Sequence, residues 1–212
     1  MTEGQSFRSE LRRIYWTRQS LRLLVLVSGV WLFAAAYLSF TTPRALGNFG
    51  TGSLENVLQE VCGGLWIAIG MPAAFIVMLL VVAIMLRTSD VRRRDPQRRF
   101  TPYQRREGML RAGGICELDS GYGRRCSRAA EHGDHFYPWS KGGATSLRNF
   151  VAACSHCNRH KGASIPSPGL LTRLERRRAS YIGTGDAATV GERRRLQPTQ
   201  LIATSGSRGP YA

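Results

Sequence analysis

Charge disappears from the chain twice. Arg22 and Arg44 bracket Leu23 to Thr42, twenty residues without a charged side chain. A second uncharged run goes from Val61 to Leu86, between Glu60 and Arg87. Twenty residues at about 1.5 Å rise cover roughly 30 Å, the thickness of a bilayer hydrocarbon core. Each run therefore predicts a membrane-spanning helix. Pro72 lies in the second and predicts a kink, which membrane helices tolerate where neighbours satisfy the freed carbonyl. Two alternatives compete: a pair of buried core helices and, for the first run, a cleaved signal peptide with Ala34-Ala35-Ala36 as its small residues. Core helices of such length seldom stay uncharged on every face. A signal h-region is about 7–15 residues, shorter than this run.

The flanks predict an orientation. Residues 1–22 carry five Arg (Arg8, Arg12, Arg13, Arg18, Arg22) against Glu3 and Glu10. The connecting stretch 43–60 carries Arg44 against Glu55 and Glu60, whereas Arg87, Arg92, Arg93, Arg94, Arg98 and Arg99 follow the second run. Basic residues gather on the cytoplasmic side of a membrane. The expectation is a multi-pass protein of the cell membrane with two spans, 23–42 and 61–86. Both termini are then cytoplasmic and the Gly-rich loop 43–60 lies outside. Cys62, alone at the loop edge, reads as a packed or free thiol.

The rest of the chain is polar and basic. Residues 87–212 hold 24 basic and 10 acidic side chains, most of the formal net charge of +16. Such an excess points to polyanionic partners, nucleic acid or anionic lipid. Residues 87–106, Arg-rich and broken by Pro96 and Pro102, predict a linker suited to lipid headgroups. Domain-like composition begins near Glu107 and stops at IPSPG after Ser164, so the predicted folded part is 107–166. Within 167–212 a short helix is expected over Leu170 to Tyr181. Beyond Ile182 the aperiodic Gly, Thr, Ser and Arg predict a tail without structure.

A core of that size usually needs a staple. Cys154-Ser155-His156-Cys157 is a C-x2-C pair, a spacing at which two thiolates share one tetrahedral zinc. Cys116 and Cys126 form a wider pair whose intervening ELDSGYGRR can loop out. Two disulfides are the alternative, but a cytoplasmic domain lives among reduced thiols. Structural Zn²⁺ on Cys116, Cys126, Cys154 and Cys157 is the expectation, with His132 or His156 able to replace one ligand.

Between and after the cysteine pairs lie Asp134-His135, Pro138, Lys141-Gly142-Gly143, Asn149 and Cys157-Asn158-Arg159-His160-Lys161. In order and spacing this resembles the HNH endonucleases of the His-Me finger group, over Cys116 to Lys161. The resemblance implies a ββα-metal unit. One strand ends at Asp134-His135, a loop runs through Lys141-Gly142-Gly143, a second strand lies near Phe150 to Ala153, and a helix starts near Ser155. The fold class is then α+β, a two-helix transmembrane hairpin followed by a small zinc-stapled HNH domain.

The resemblance also implies roles. His135 is the general base, for which a neutral imidazole is suited near neutral pH. Asn149 orients that base, and Asp134 and Asn158 offer oxygen to a hard cation, Mg²⁺ or Mn²⁺. His160 is the rival ligand to Asn158. Adjacent strand residues point to opposite faces, so a turn or bulge at Asp134-His135 is required if both are to reach one phosphate. Arg124, Arg125, Arg148, Arg159 and Lys161 are candidates to grip phosphates, a contact that positions DNA without reading its sequence. The expected activity is hydrolysis of DNA phosphodiester bonds, with DNA and membrane lipid as partners and no small-molecule substrate. The alternative is a non-catalytic, zinc-folded module that binds nucleic acid at the membrane.

Overall fold

The computed structural model describes residues 3–41, 70–121, 123–182 and 188–195. The expected external loop 43–60, Cys62, the first residues of the second apolar run and the tail past 195 lie outside the described residues. The chain divides into two compact units: Trp16–Leu86, and Met1–Tyr15 together with Arg87–Ala212.

The Trp16–Leu86 unit holds the apolar parts of α1 (Glu3–Thr41) and α2 (Met71–Arg92). Both helices are long and apolar enough to cross a membrane. Many large side chains of their apolar stretches are bare: Val30 is 69%, Phe33 74% and Met85 65% exposed. A soluble core helix would bury such groups. Polar Ser28 donates to Leu24 O at 2.7 Å, satisfying its hydroxyl within the helix.

The second unit is built on a two-stranded antiparallel sheet, β1 (His132–His135) and β2 (Phe150–Ala153). The order β1, loop, β2, then helix α4 (Ser155–Lys161) is the ββα unit within a mixed α+β architecture. All four residues of β2 are buried, so a short continuous apolar run marks a strand covered on both faces. Val151 and Ala153 join a core with Phe136, Tyr137, Leu171, Leu174 and the cysteines. Phe150 and Ala152 face the other way, against Ala112, Phe100 and Met109. The Phe150 ring leaves no room for side chains at two neighbours: a Cβ on Gly133 or Gly108 would lie 2.2 or 2.3 Å from its carbons.

Three expectations are corrected here. Residues 87–106 are not simply a linker. Helix α2 runs on to Arg92, and α3 (Pro102–Arg111) begins at a capping box in which Thr101 and Gln104 each bond the other's backbone. Between them Phe100 packs under β2, and Arg94 and Arg98 each lie 5.2 Å from the Trp139 ring centroid. The composition reads as solvated because Arg is usually exposed. Here its guanidinium stacks on an aromatic face.

The N-terminal basic stretch is also part of this unit. Leu11 is fully buried in the core, and Phe7 meets Tyr137 edge-on at 6.1 Å. Finally, the chain past Ile182 is not structureless throughout. Residues 188–195 strap the loop between the strands, with Ala144 N bonded to Glu192 O and Arg194 N to Gly142 O. Val190 is 1% exposed. Arg193 ties this strap to Glu10 at 3.0 Å and to Asp90 at 3.4 Å. None of these contacts has a period or a turn signature in the sequence.

Helix α5 (Pro168–Tyr181) carries Leu171 and Leu174 into the core and sends Arg178 across to Glu117. That pair is bidentate, at 2.8 and 2.7 Å, and Tyr181 donates to the same carboxylate at 2.5 Å. Burial by itself raises the Glu117 carboxyl. The hydrogen bonds and charge of Arg178 outweigh it and hold the group below its usual range.

Candidate active site and metal centre

The four cysteines arrive from three places. Residues 114–130 fold back as a hairpin with Cys116 N bonded to Arg128 O and Cys126 N to Leu118 O, each at 2.9 Å. Residues two apart share a face of such a pair. Cys116 and Cys126, diagonal across it, therefore lie together despite nine intervening residues. Gly121 and Gly123, at φ 116° and 74°, make its turn. Cys154 ends β2 and caps α4, its Sγ accepting from Cys157 N at 3.4 Å.

All four Sγ atoms lie within 4.8 Å of one another, and Cys126 and Cys154 are 4.0 Å apart. Tetrahedral zinc with Zn–S of about 2.3 Å sets its sulfurs about 3.8 Å apart. The cluster fits that ion, and all four residues are unbridged and buried. His132 is exposed at the start of β1 and His156 on the outside of α4, so the metal-binding group is the four cysteines.

Asp134 and His135 lie in unbroken register opposite Val151 and Phe150. The bulge that would turn both side chains to one point is absent, and the pair leaves the strand on opposite faces. Asp134 faces α4: its Oδ2 accepts from Lys161 Nζ at 2.7 Å, and its Oδ1 accepts from His135 N at 2.8 Å. Lys161 also donates to His135 O at 2.7 Å. A lysine expected to hold DNA phosphates is thus the link between helix and strand.

Asn158 sits one turn before Lys161 on the same helical face. Its side-chain amide has no hydrogen-bond partner among the described residues. His160 instead stacks in parallel with His156, ring centroids 6.5 Å apart, which removes it from the Asp134 side.

His135 faces the other side, 9% exposed. Phe100 stacks on its ring at 4.3 Å, and Nε2 lies 3.0 Å from Thr145 Oγ1. Burial lowers its pKa to about 4; Asp134 pulls upward and Lys161 downward by smaller amounts. The imidazole is therefore neutral at physiological pH.

Asn149 is fully buried, and its side chain makes no hydrogen bond to the His135 ring. Its Oδ1 accepts from Tyr137 N at 2.8 Å, and its Nδ2 donates to Tyr137 O at 3.0 Å and Ala144 O at 2.7 Å. The side chain closes the loop between the strands and so fixes where β1 ends. Gly142 turns the same loop at φ 89°, and a Cβ on Gly143 would lie 2.0 Å from Tyr137 O.

The basic candidates divide. Arg124 and Arg159 are exposed, as phosphate contacts require. Arg125 is a structural brace: it donates to Cys116 O at 2.9 Å and Ala112 O at 2.8 Å, and lies 4.7 Å over the Tyr181 ring. Arg148 is half-buried at the 188–195 strap, whose Gly191 N bonds Arg148 O. An open groove of about 760 Å³ beside the cysteine cluster is lined by Arg128, His156, His160, Lys161 and Arg173.

Sequence reasoning missed Phe100, Thr145, Glu117 and Arg178. A signal existed for the first: Thr101-Pro102-Tyr103-Gln104 is a capping box with Pro at N1, marking the start of an element inside the supposed linker.

No curated protein and no solved structure matches the chain significantly. Residues 123–164, from the hairpin turn past the end of α4, match the model of the HNH endonuclease family.

Proposed function

We propose that this chain is a membrane-anchored, zinc-stapled HNH endonuclease that hydrolyses DNA phosphodiester bonds. The observation that carries the reading is His135. It is a neutral imidazole, held at Nε2 by Thr145, at the end of β1 in the segment that matches the HNH family. A base must be unprotonated to take a proton from water.

The four cysteines would hold Zn²⁺, which stabilises the hairpin and the start of α4. Asp134 and Asn158 would hold Mg²⁺ or Mn²⁺; both offer oxygen, and the Asn158 amide is otherwise unused. Held there, such an ion would supply Lewis-acid stabilisation of charge on the leaving oxygen. Asn149 holds the loop that ends β1, Lys161 keeps α4 against Asp134, and Arg124 and Arg159 reach the DNA backbone. The two apolar helices anchor the enzyme with both ends cytoplasmic. Reporter fusions at Gly50 and at the C-terminus then give opposite answers.

One observation favours the second reading, a binding module without catalysis. The Lys161 ammonium already neutralises Asp134, and Asp134 and His135 leave opposite faces of the strand. The two readings separate in a plasmid-nicking assay on the full chain in detergent, with and without Mg²⁺ or Mn²⁺. A nuclease nicks with the metal, and His135→Ala lowers the rate by about 10²–10⁴ while DNA binding and zinc content stay unchanged. DNA binding without nicking makes it the module. A shorter soluble fragment is unsuitable, since one starting at residue 88 lacks Phe7 and Leu11.

A further inference from the structure

We infer that the segment directly after the second apolar helix, Asp95 to Phe100, is part of the active site and positions the general base through Thr145. The inference rests on the nuclease reading above but goes beyond the HNH match, which begins at Gly123.

The argument is one of hydrogen-bond donors. Thr145 Oγ1 bonds the backbone carbonyl of Gln97. A carbonyl only accepts, so the single hydroxyl proton of Thr145 points to Gln97. Toward His135 the hydroxyl then has only lone pairs. The Nε2 atom 3.0 Å away must carry the ring proton. In the form that acts as a base the ring has one proton, so Nδ1 is left with its lone pair free, and it has no hydrogen-bond partner among the described residues. The nitrogen that takes a proton from water is thereby chosen by a carbonyl 38 residues upstream of the histidine.

The same segment fixes the other atoms of this chain of contacts. Asp95 Oδ2 accepts from Thr145 N at 3.0 Å, seating the residue whose hydroxyl does the selecting. Asp95 O accepts from Trp139 Nε1 at 2.8 Å, holding the segment to the loop. Phe100 stacks on the imidazole and meets Phe150 at 4.9 Å, which restricts ring rotation. Thr145 and Asp95 are positioning residues: neither has to touch DNA. The segment continues from Arg92, the last residue of α2, with only Arg93 and Arg94 between. The end of a candidate membrane helix and the orientation of the base are therefore joined by a few residues of chain.

The test uses the full chain in detergent with ¹⁵N-labelled histidine rings. The chain has four histidines, and His135→Gln identifies the signals of His135. The wild-type ring should be protonated at Nε2. Thr145→Val should give a mixture of the two protonated forms and lower kcat for plasmid nicking about 10²-fold, the scale of a misplaced catalytic group, with KM unchanged. Thr145→Ser, which keeps the hydroxyl, should restore both the ring signals and kcat. Asp95→Ala, which leaves the hydroxyl but unseats its backbone, should give a smaller shift of the same kind and serves if Thr145→Val fails to fold. A wild-type ring protonated at Nδ1 overturns the proposal. So do Thr145→Val or Asp95→Ala chains whose ring signals and kcat match the wild type. If the wild-type chain does not nick DNA at all, the nuclease reading fails. The ring signals still decide the positioning: loss of Nε2 protonation in Thr145→Val supports it, and retention overturns it.

Discussion

The two sides of the β1–β2 sheet are stabilised by different kinds of contact. On one side lie the hairpin 114–130 and the start of α4, gathered by four cysteines. On the other lie residues 95–100, which together with the 188–195 strap along the inter-strand loop hold it through backbone carbonyls, one carboxylate and aromatic stacks. The cysteine side is legible because its chemistry needs a particular residue type at a particular spacing. The other side uses backbone carbonyls, one carboxylate and ring faces at no fixed spacing, so nothing in its composition announces it. Arg-rich sequence that reads as solvent-facing instead encloses the candidate base.

The comparison predicts that loss of the cysteine side is the more severe. Structural zinc binding free energy is largely folding free energy in domains this small, about 10–16 kcal/mol in isolated peptides. Cys154→Ser should therefore abolish the fold of the unit, and so should a strong chelator. Zinc content and amide exchange across 114–161 report it. A chain that keeps its protection after losing zinc would remove the contrast between the two sides.

Smaller than this is the buried pair that links the hairpin to α5. Arg178→Met leaves the Glu117 carboxylate, 1% exposed, without its charge partner. Breaking a buried pair from one side costs about 3–5 kcal/mol. Denaturant unfolding in detergent should show that loss, and Glu117→Gln combined with Arg178→Met should recover part of it.

Smaller again on average is the N-terminal contribution. Leu11→Ala removes a fully buried side chain from the core, at about 2–5 kcal/mol for such a truncation. If the basic N-terminus only anchored the chain by its charge, the same substitution would leave stability unchanged. The unfolding midpoint therefore distinguishes a core element from a flanking tail.

The ββα order, the gathering of the four cysteines and the two apolar helices are legible in the sequence. Phe150-Val151-Ala152-Ala153 is too short for a helix and too apolar for a loop. The part Asn149 plays is not legible in the sequence: a buried Asn satisfies whichever backbone groups the loop presents, and here these are Tyr137 and Ala144. The Lys161–Asp134 pair is hidden from the sequence for a related reason. A lysine near a presumed phosphate site suggests a phosphate, whereas the carboxylate that captures it becomes its neighbour only when α4 packs on β1.

By itself the amino-acid sequence determined where the chain is apolar enough to span a bilayer, which cysteines gather and which residue pattern resembles an HNH site. These are properties of residue type and local spacing. The tertiary structure alone decided that Asp134 and His135 stay in register without a bulge, and that Thr145 Oγ1 lies between Gln97 O and His135 Nε2. Each depends on which groups meet across long separations, and backbone groups are alike in every residue until packing brings particular ones together.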